Sequence, residues 1–193
     1  MVLLLSSTAV NVSANSVSFD SGAYAPDSNG QISINVLYDF TSYAMFGGGV
    51  SLLYDASALE FVSFTQDDFG GSNAQPAFSP NGALIEPGFY QGFGIGAGKS
   101  FLGITDAGSM GVFVFIVTGS GDGSFNGCLN GAALCLTPNL PIDPMVSVAG
   151  QNVTDAIFAN EEGLNASVVV PLPASVWFLL SGLLALLRFE RKV

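Results

Sequence analysis

Fifteen carboxylates, two cysteines and no histidine set the limits on the chemistry available to this 193-residue chain. Histidine is the usual general base near neutral pH and the usual neutral metal ligand, so its absence argues against serine triads, Cys–His pairs and zinc sites. A two-carboxylate hydrolase acting on extracellular polymer stays open by residue type alone. No spacing among the acids singles out a pair, and the adjacent Asp67 and Asp68 would point to opposite faces of a strand. No catalytic residue, cofactor or metal site is therefore assigned, and a non-enzymatic protein is expected. The cysteines lie in Cys128-Leu-Asn-Gly-Ala-Ala-Leu-Cys135, whose Asn130-Gly131 is a turn signal. In an oxidising compartment the pair can close a small disulfide loop; two free thiols are the alternative.

One glycine-rich stretch imitates a phosphate-binding loop. Gly92-Phe-Gly-Ile-Gly-Ala-Gly-Lys-Ser100 ends correctly, but the position that must hold the first glycine is Phe93. Glycines at 92, 94, 96 and 98 instead share one face of a strand and leave Phe93, Ile95 and Ala97 on the other. A face without side chains lets another backbone approach closely, most simply from within the same domain.

The elements that would position any site read as strands. The chain is 49% hydrophobic and only 10% charged, with 24 glycines and 16 phenylalanines, which suits short strands and turns better than helices with charged faces. In Gln31–Asp39, residues Ile32, Ile34, Val36 and Tyr38 alternate with polar neighbours. Val112 to Val117 is apolar on both faces, the pattern of a central covered strand. Turn residues recur along residues 15–159, and many short strands so spaced point to one all-β sandwich domain. Residues 160–169 read as a linker. At the start, the apolar Met1–Leu5 and the small residues Val12-Ser13-Ala14 resemble the end of a signal peptide cut after Ala14. Residues 1–14 are then a remnant whose basic beginning lies upstream, the alternative being an ordinary first strand.

Charge is segregated. Arg188, Arg191 and Lys192 are three of only four basic residues, and the chain before them sets fourteen acids against Lys99 alone, a net −13. Such a body repels phosphate backbones, so nucleic acid is excluded as a partner. The basic cluster directly follows Val168–Leu187, twenty residues without a charge. At ~1.5 Å per residue a helix of that length spans ~30 Å, about one hydrocarbon core, although Pro171 and Pro173 restrict the continuous helix to the later part. Basic residues favour the cytoplasmic side, so the body is expected outside and the tail end inside, with Arg188, Arg191 and Lys192 as the membrane stop. A buried core helix is the competing reading. A eukaryotic lipid-anchor signal would end in its apolar run, whereas this tail continues through Arg-Phe-Glu-Arg-Lys-Val.

The tail also carries a resemblance. Val170-Pro171-Leu172-Pro173-Ala174, an apolar stretch with Ser181-Gly182-Leu183-Leu184, and the closing basic residues look like the VPLPA variant of the PEP-CTERM sorting domain. The resemblance implies a C-terminal transmembrane helix, residues 170–193 as a sorting tail, and processing by exosortase, a membrane cysteine peptidase of Gram-negative bacteria that make extracellular polysaccharide. Pro171, Leu172, Pro173 and Ala174 would form the recognition motif, with Leu172 standing where the better-known form has glutamate. Two prolines keep such a segment extended and accessible at the membrane surface.

In the body, Ile32–Phe64, with Ser51-Leu-Leu-Tyr-Asp-Ala-Ser-Ala-Leu-Glu-Phe-Val62, is similar to the early strands of cohesin-like domains, jelly-roll sandwiches related to carbohydrate-binding modules. The expectations are then an exported surface or matrix protein with an exosortase-type peptidase, the lipid bilayer and extracellular polysaccharide as partners, or a cohesin-like carbohydrate- or protein-binding module. Sugar sites stack rings on exposed aromatics; Tyr24, Tyr43, Phe69, Phe78 and Tyr90 are the candidates, each with core packing as its alternative.

Overall fold

The computed structural model describes residues 14–69, 73–76, 82–98, 101–119, 127–159 and 161–169. In chain order the strands are β1 (Ser16–Phe19), β2 (Ala23–Tyr24), β3 (Gln31–Asp39), β4 (Met45–Tyr54), β5 (Leu59–Gln66), β6 (Ala74–Pro76), β7 (Ala83–Glu86), β8 (Phe89–Ala97), β9 (Ala107–Val117), β10 (Leu134–Pro138), β11 (Val146–Ser147) and β12 (Asn165–Val168). Two one-turn helices, α1 (Thr154–Ile157) and α2 (Glu161–Leu164), precede the last strand.

These strands form two facing sheets. The smaller runs β1-β3-β9-β5; the larger runs β2-β12-β10-β4-β8-β6, with β11 on β4 and β7 on β8. Every pairing is antiparallel except β12 with β2. The alternation in β3 has the expected result: Ile32, Ile34, Val36 and Tyr38 are all buried. Between the sheets Phe61, Phe64, Tyr90, Phe93, Phe113 and Phe115 interlock, with Phe64 and Phe113 at 4.3 Å between ring centres. Offset and edge contacts of this kind add specificity to ordinary apolar burial.

Three expectations need revision. Strand β9 is central, between β3 and β5, but covered on one face only: Phe113 and Phe115 are fully buried, whereas Val112, Val114 and Ile116 are half-buried on the outer side. Residues 161–169 are not a linker. Leu164, Ala166 and Val168 point inward with period two, and β12 pairs with both β10 and β2. Val168, the first residue of the uncharged run, is therefore a buried strand residue, and Val169 donates its N–H to the Tyr24 carbonyl. The expected boundary at 159 moves to 169.

The glycine face is used as its spacing suggests. Gly47 lies opposite Gly96 and Gly49 opposite Gly94. A Cβ on Gly47 would stand 1.9 Å from the Ile95 carbonyl oxygen, and one on Gly48 2.7 Å from the Cα of Met145. Segment 139–145 packs against this run, and a Cβ on Gly92 (φ +75°) would meet the Asn139 amide at 3.2 Å. Gln91 and Gly92 together face Ser51, a bulge that returns Phe93 to the core.

Candidate docking surfaces

The outer side of the larger sheet is built around residues the core does not claim. Cys135 and Leu53 are paired, as are Leu53 and Phe89, and all three lie between inward-facing neighbours. Cys135 is bonded to Cys128, with 5.5 Å between the two Cα atoms. The loop they close lies over this side of the sheet and leaves Leu129 half exposed. At the far end of β10, β11 takes up pairing with β4, so residues 139–143 are squeezed out of the sheet. Their turn is held by Asp143 N–H to the Asn139 carbonyl at 2.9 Å and by Gly49 N–H to the Asp143 carbonyl at 2.9 Å. Leu140 and Ile142 project from it at 47% and 67% exposure. Partial burial holds the Asp143 carboxyl above its ordinary range. Between these two turns lies a floor of Leu53, Ser51, Phe89, Gln91 and Thr137, which carries no charge.

A concavity sits at one end of the sandwich. A groove of about 480 Å³ is lined by Tyr43, Ala44, Ser147, Val148, Ala149, Gln151 and Val153. Its two walls are fixed by backbone bonds: Val148 N–H to the Ala44 carbonyl at 3.0 Å, and Ser147 N–H to the Gln151 carbonyl at 3.0 Å. Asn15, 1% exposed, accepts from the N–H groups of Ser42 and Tyr43 and donates to the Tyr43 carbonyl at 2.7 Å. The turn bearing Phe101 and Leu102, 96% and 77% exposed, reaches the same wall, because Gly103 abuts Ala44 and Val148.

Of the aromatic candidates, Tyr90 and Phe69 are buried in the core and unavailable for stacking. Tyr24 is half-buried with its hydroxyl donating to Asp20, and burial followed by that carboxylate keeps its phenol well above the ordinary range. Tyr43 is exposed on the groove, and Phe78 lies outside the described residues. Asp67 and Asp68 fall just after β5, and Asp67 accepts the Phe69 N–H at 2.9 Å. Among the described residues no group of three or more His, Cys, Asp or Glu side chains converges. Gly92–Ala97 is strand rather than loop, so no phosphate cradle exists there. Pro171, Leu172, Pro173, Ala174, Arg188, Arg191 and Lys192 lie outside the described residues, and no described helix is long and apolar enough to cross a membrane.

No protein-family model and no curated protein matches the chain. Solved structures do. The solution structure of CaCohA2, a protein of Clostridium acetobutylicum, matches 82% of this chain and 93% of its own length at TM-score 0.50 and 13% identity. The body has a cohesin-like fold. The sixth cohesin of Acetivibrio cellulolyticus scaffoldin B, solved in complex with a Cel5 dockerin mutant, covers 81% of this chain and 95% of its own (TM-score 0.47, 12% identity). A non-cellulosomal cohesin of the archaeon Archaeoglobus fulgidus covers 81% and 86% (TM-score 0.43, 16% identity). At these identities the cohesin-like resemblance concerns fold alone. Sequence reasoning found this fold through the pattern of Ile32–Phe64 and named Tyr43, but it missed the rest of the groove and the exposed turn of Leu140 and Ile142.

Proposed function

We propose that this is a non-enzymatic exported protein of the cell envelope, whose cohesin-like sandwich docks a protein partner and whose tail is sorted by an exosortase-type peptidase. The observation that carries the docking half is the outer side of the larger sheet, where Leu129, Leu140 and Ile142 stand exposed around Leu53 and Phe89, with the Asp143 carboxyl at one edge. Such an apolar patch framed by turns is characteristic of interaction sites. CaCohA2, the cohesin at TM-score 0.50, has also been solved in complex with CaDoc0917, which supports a protein rather than a small molecule on a sandwich of this kind. The sorting half rests on Val170-Pro-Leu-Pro-Ala174, the apolar stretch and the basic end. In this reading Pro171–Ala174 is the recognition segment and the bilayer holds the tail until cleavage.

Each half has its own test. A photoreactive residue placed at position 142 should give a discrete adduct above monomer mass on whole cells, while one at Ser33, on the outer side of the smaller sheet, should not. Equal labelling at both positions would remove the docking face. Co-expression with the peptidase should yield a second, lighter species by intact mass, absent when Pro171 and Pro173 are both replaced by alanine. Identical masses with and without the peptidase would retire the sorting reading.

A further inference from the structure

The groove at the end of the sandwich is separate from the docking face, and its chemistry is specific. Tyr43 presents an exposed ring; Ser147 and Gln151 bring a hydroxyl and an amide; Ala44, Val148, Ala149 and Val153 supply apolar walls. Ser147, 6% exposed at the floor of the groove, has its Oγ engaged as acceptor of the Gln151 N–H at 3.3 Å, so that its hydroxyl can still donate. No acid, lysine or arginine is among the lining residues. An anionic ligand is repelled by the −13 body, and a cationic one finds no carboxylate here. A purely apolar chain would leave the hydroxyl and the amide unused. A neutral pyranose fits all three features, because its C–H face stacks on an aromatic ring while its hydroxyls need neutral donors and acceptors.

The groove is also rigid before any ligand arrives. Asn15 fixes the Tyr43 backbone from beneath, and the Ser147–Gln151 turn closes on itself with Gly150 N–H to the Ser147 carbonyl at 2.8 Å. Preorganised walls reduce the ordering cost of binding. Position adds a second argument. The groove adjoins Met45, at the start of β4, whereas Val169 leaves the body beyond Leu134 and Tyr54, at the other end of that strand. At ~3.3 Å per residue the ten residues of β4 separate the two by about 30 Å. The groove thus faces away from the point where the tail departs.

We propose that this groove binds a neutral oligosaccharide, with Tyr43 as the stacking platform and Gln151 and Ser147 as its hydrogen-bonding partners. The test uses the full chain in a sugar-free detergent, with saturation-transfer NMR and calorimetry against cellopentaose, mannopentaose and a uronic-acid pentamer. At least one neutral pentamer should bind. Tyr43→Ala should weaken it about tenfold or more, and Gln151→Ala, on an exposed turn where folding is not at issue, several-fold. Ile142→Glu, on the docking face, should leave it unchanged, so failure here and failure of the protein-docking reading are distinguishable. Binding by neither neutral pentamer would overturn the proposal. So would equal binding of the uronic pentamer, or affinities untouched by Tyr43→Ala and Gln151→Ala.

Discussion

Among the described residues, single polar side chains hold turns in place. Asn15 satisfies three backbone groups of the Ser42–Tyr43 segment with one buried amide, and Asp27 does the same for its own turn by accepting from the N–H groups of Asn29 and Gln31. Those two bonds keep the Asp27 carboxyl below its ordinary range. Asn15→Ala removes three part-buried hydrogen bonds at once, and a loss of about 1–3 kcal/mol in denaturant unfolding is the expected outcome. Asp143 behaves oppositely. Its carboxyl is raised above 3.8 by desolvation, so the folded state disfavours its charged form. The penalty is absent below the unfolded value and fully developed above the folded one. Asp143→Asn should accordingly raise stability at pH 7 by less than about 1 kcal/mol, since the group is only partly buried, and the gain should vanish below pH 3.8. Unfolding midpoints measured at the two pH values check it; a gain that persists in acid would assign the effect to packing instead.

At the level of strands and loops, β12 is the element with the most consequence, because it closes the larger sheet between β10 and β2. A chain ending at residue 169 should fold, whereas one ending at residue 160 strips Leu164, Ala166 and Val168 from the core and should lose cooperative unfolding. Near-UV circular dichroism and a thermal scan distinguish the two; a stable shorter form would restore the boundary at 159. The same strand shows where the sequence was legible and where it was not. β3 announced itself through Ile32, Ile34, Val36 and Tyr38, because one of its faces meets solvent and polar residues mark the period. From Leu164 at the end of α2 into β12 the period is present in Leu164, Ala166 and Val168, but Val168 also opens the uncharged run, and the longer signal masks the shorter. The glycines of β8 were readable as a bare face, yet their partners Gly47–Gly49 and segment 139–145 meet them only through tertiary pairing. The docking turn and the groove were invisible for the same reason. Leu140 and Ile142 look like ordinary loop residues, and Tyr43, an aromatic candidate from sequence, gains its groove only when the fold sets Ser147, Gln151 and Val153 beside it.

Taken whole, the molecule is an acidic body with its positive charge gathered at one terminus. Mutual repulsion keeps copies apart at neutral pH, although Leu129, Leu140 and Ile142 are exposed on each. Near the isoelectric point of 4.1 that repulsion disappears, and light scattering should report self-association there. Ile142→Glu should blunt it; scattering unaffected by that substitution would locate the contact elsewhere. The placement of β12 also has a consequence for biosynthesis. The ribosome makes this strand after the other described strands. Until it emerges, β10 and β2 present unpaired edges to their surroundings. The newborn sandwich must therefore wait open, as a template for stray strands, until β12 has been made. The residues that seal it and the apolar run behind them then emerge almost together.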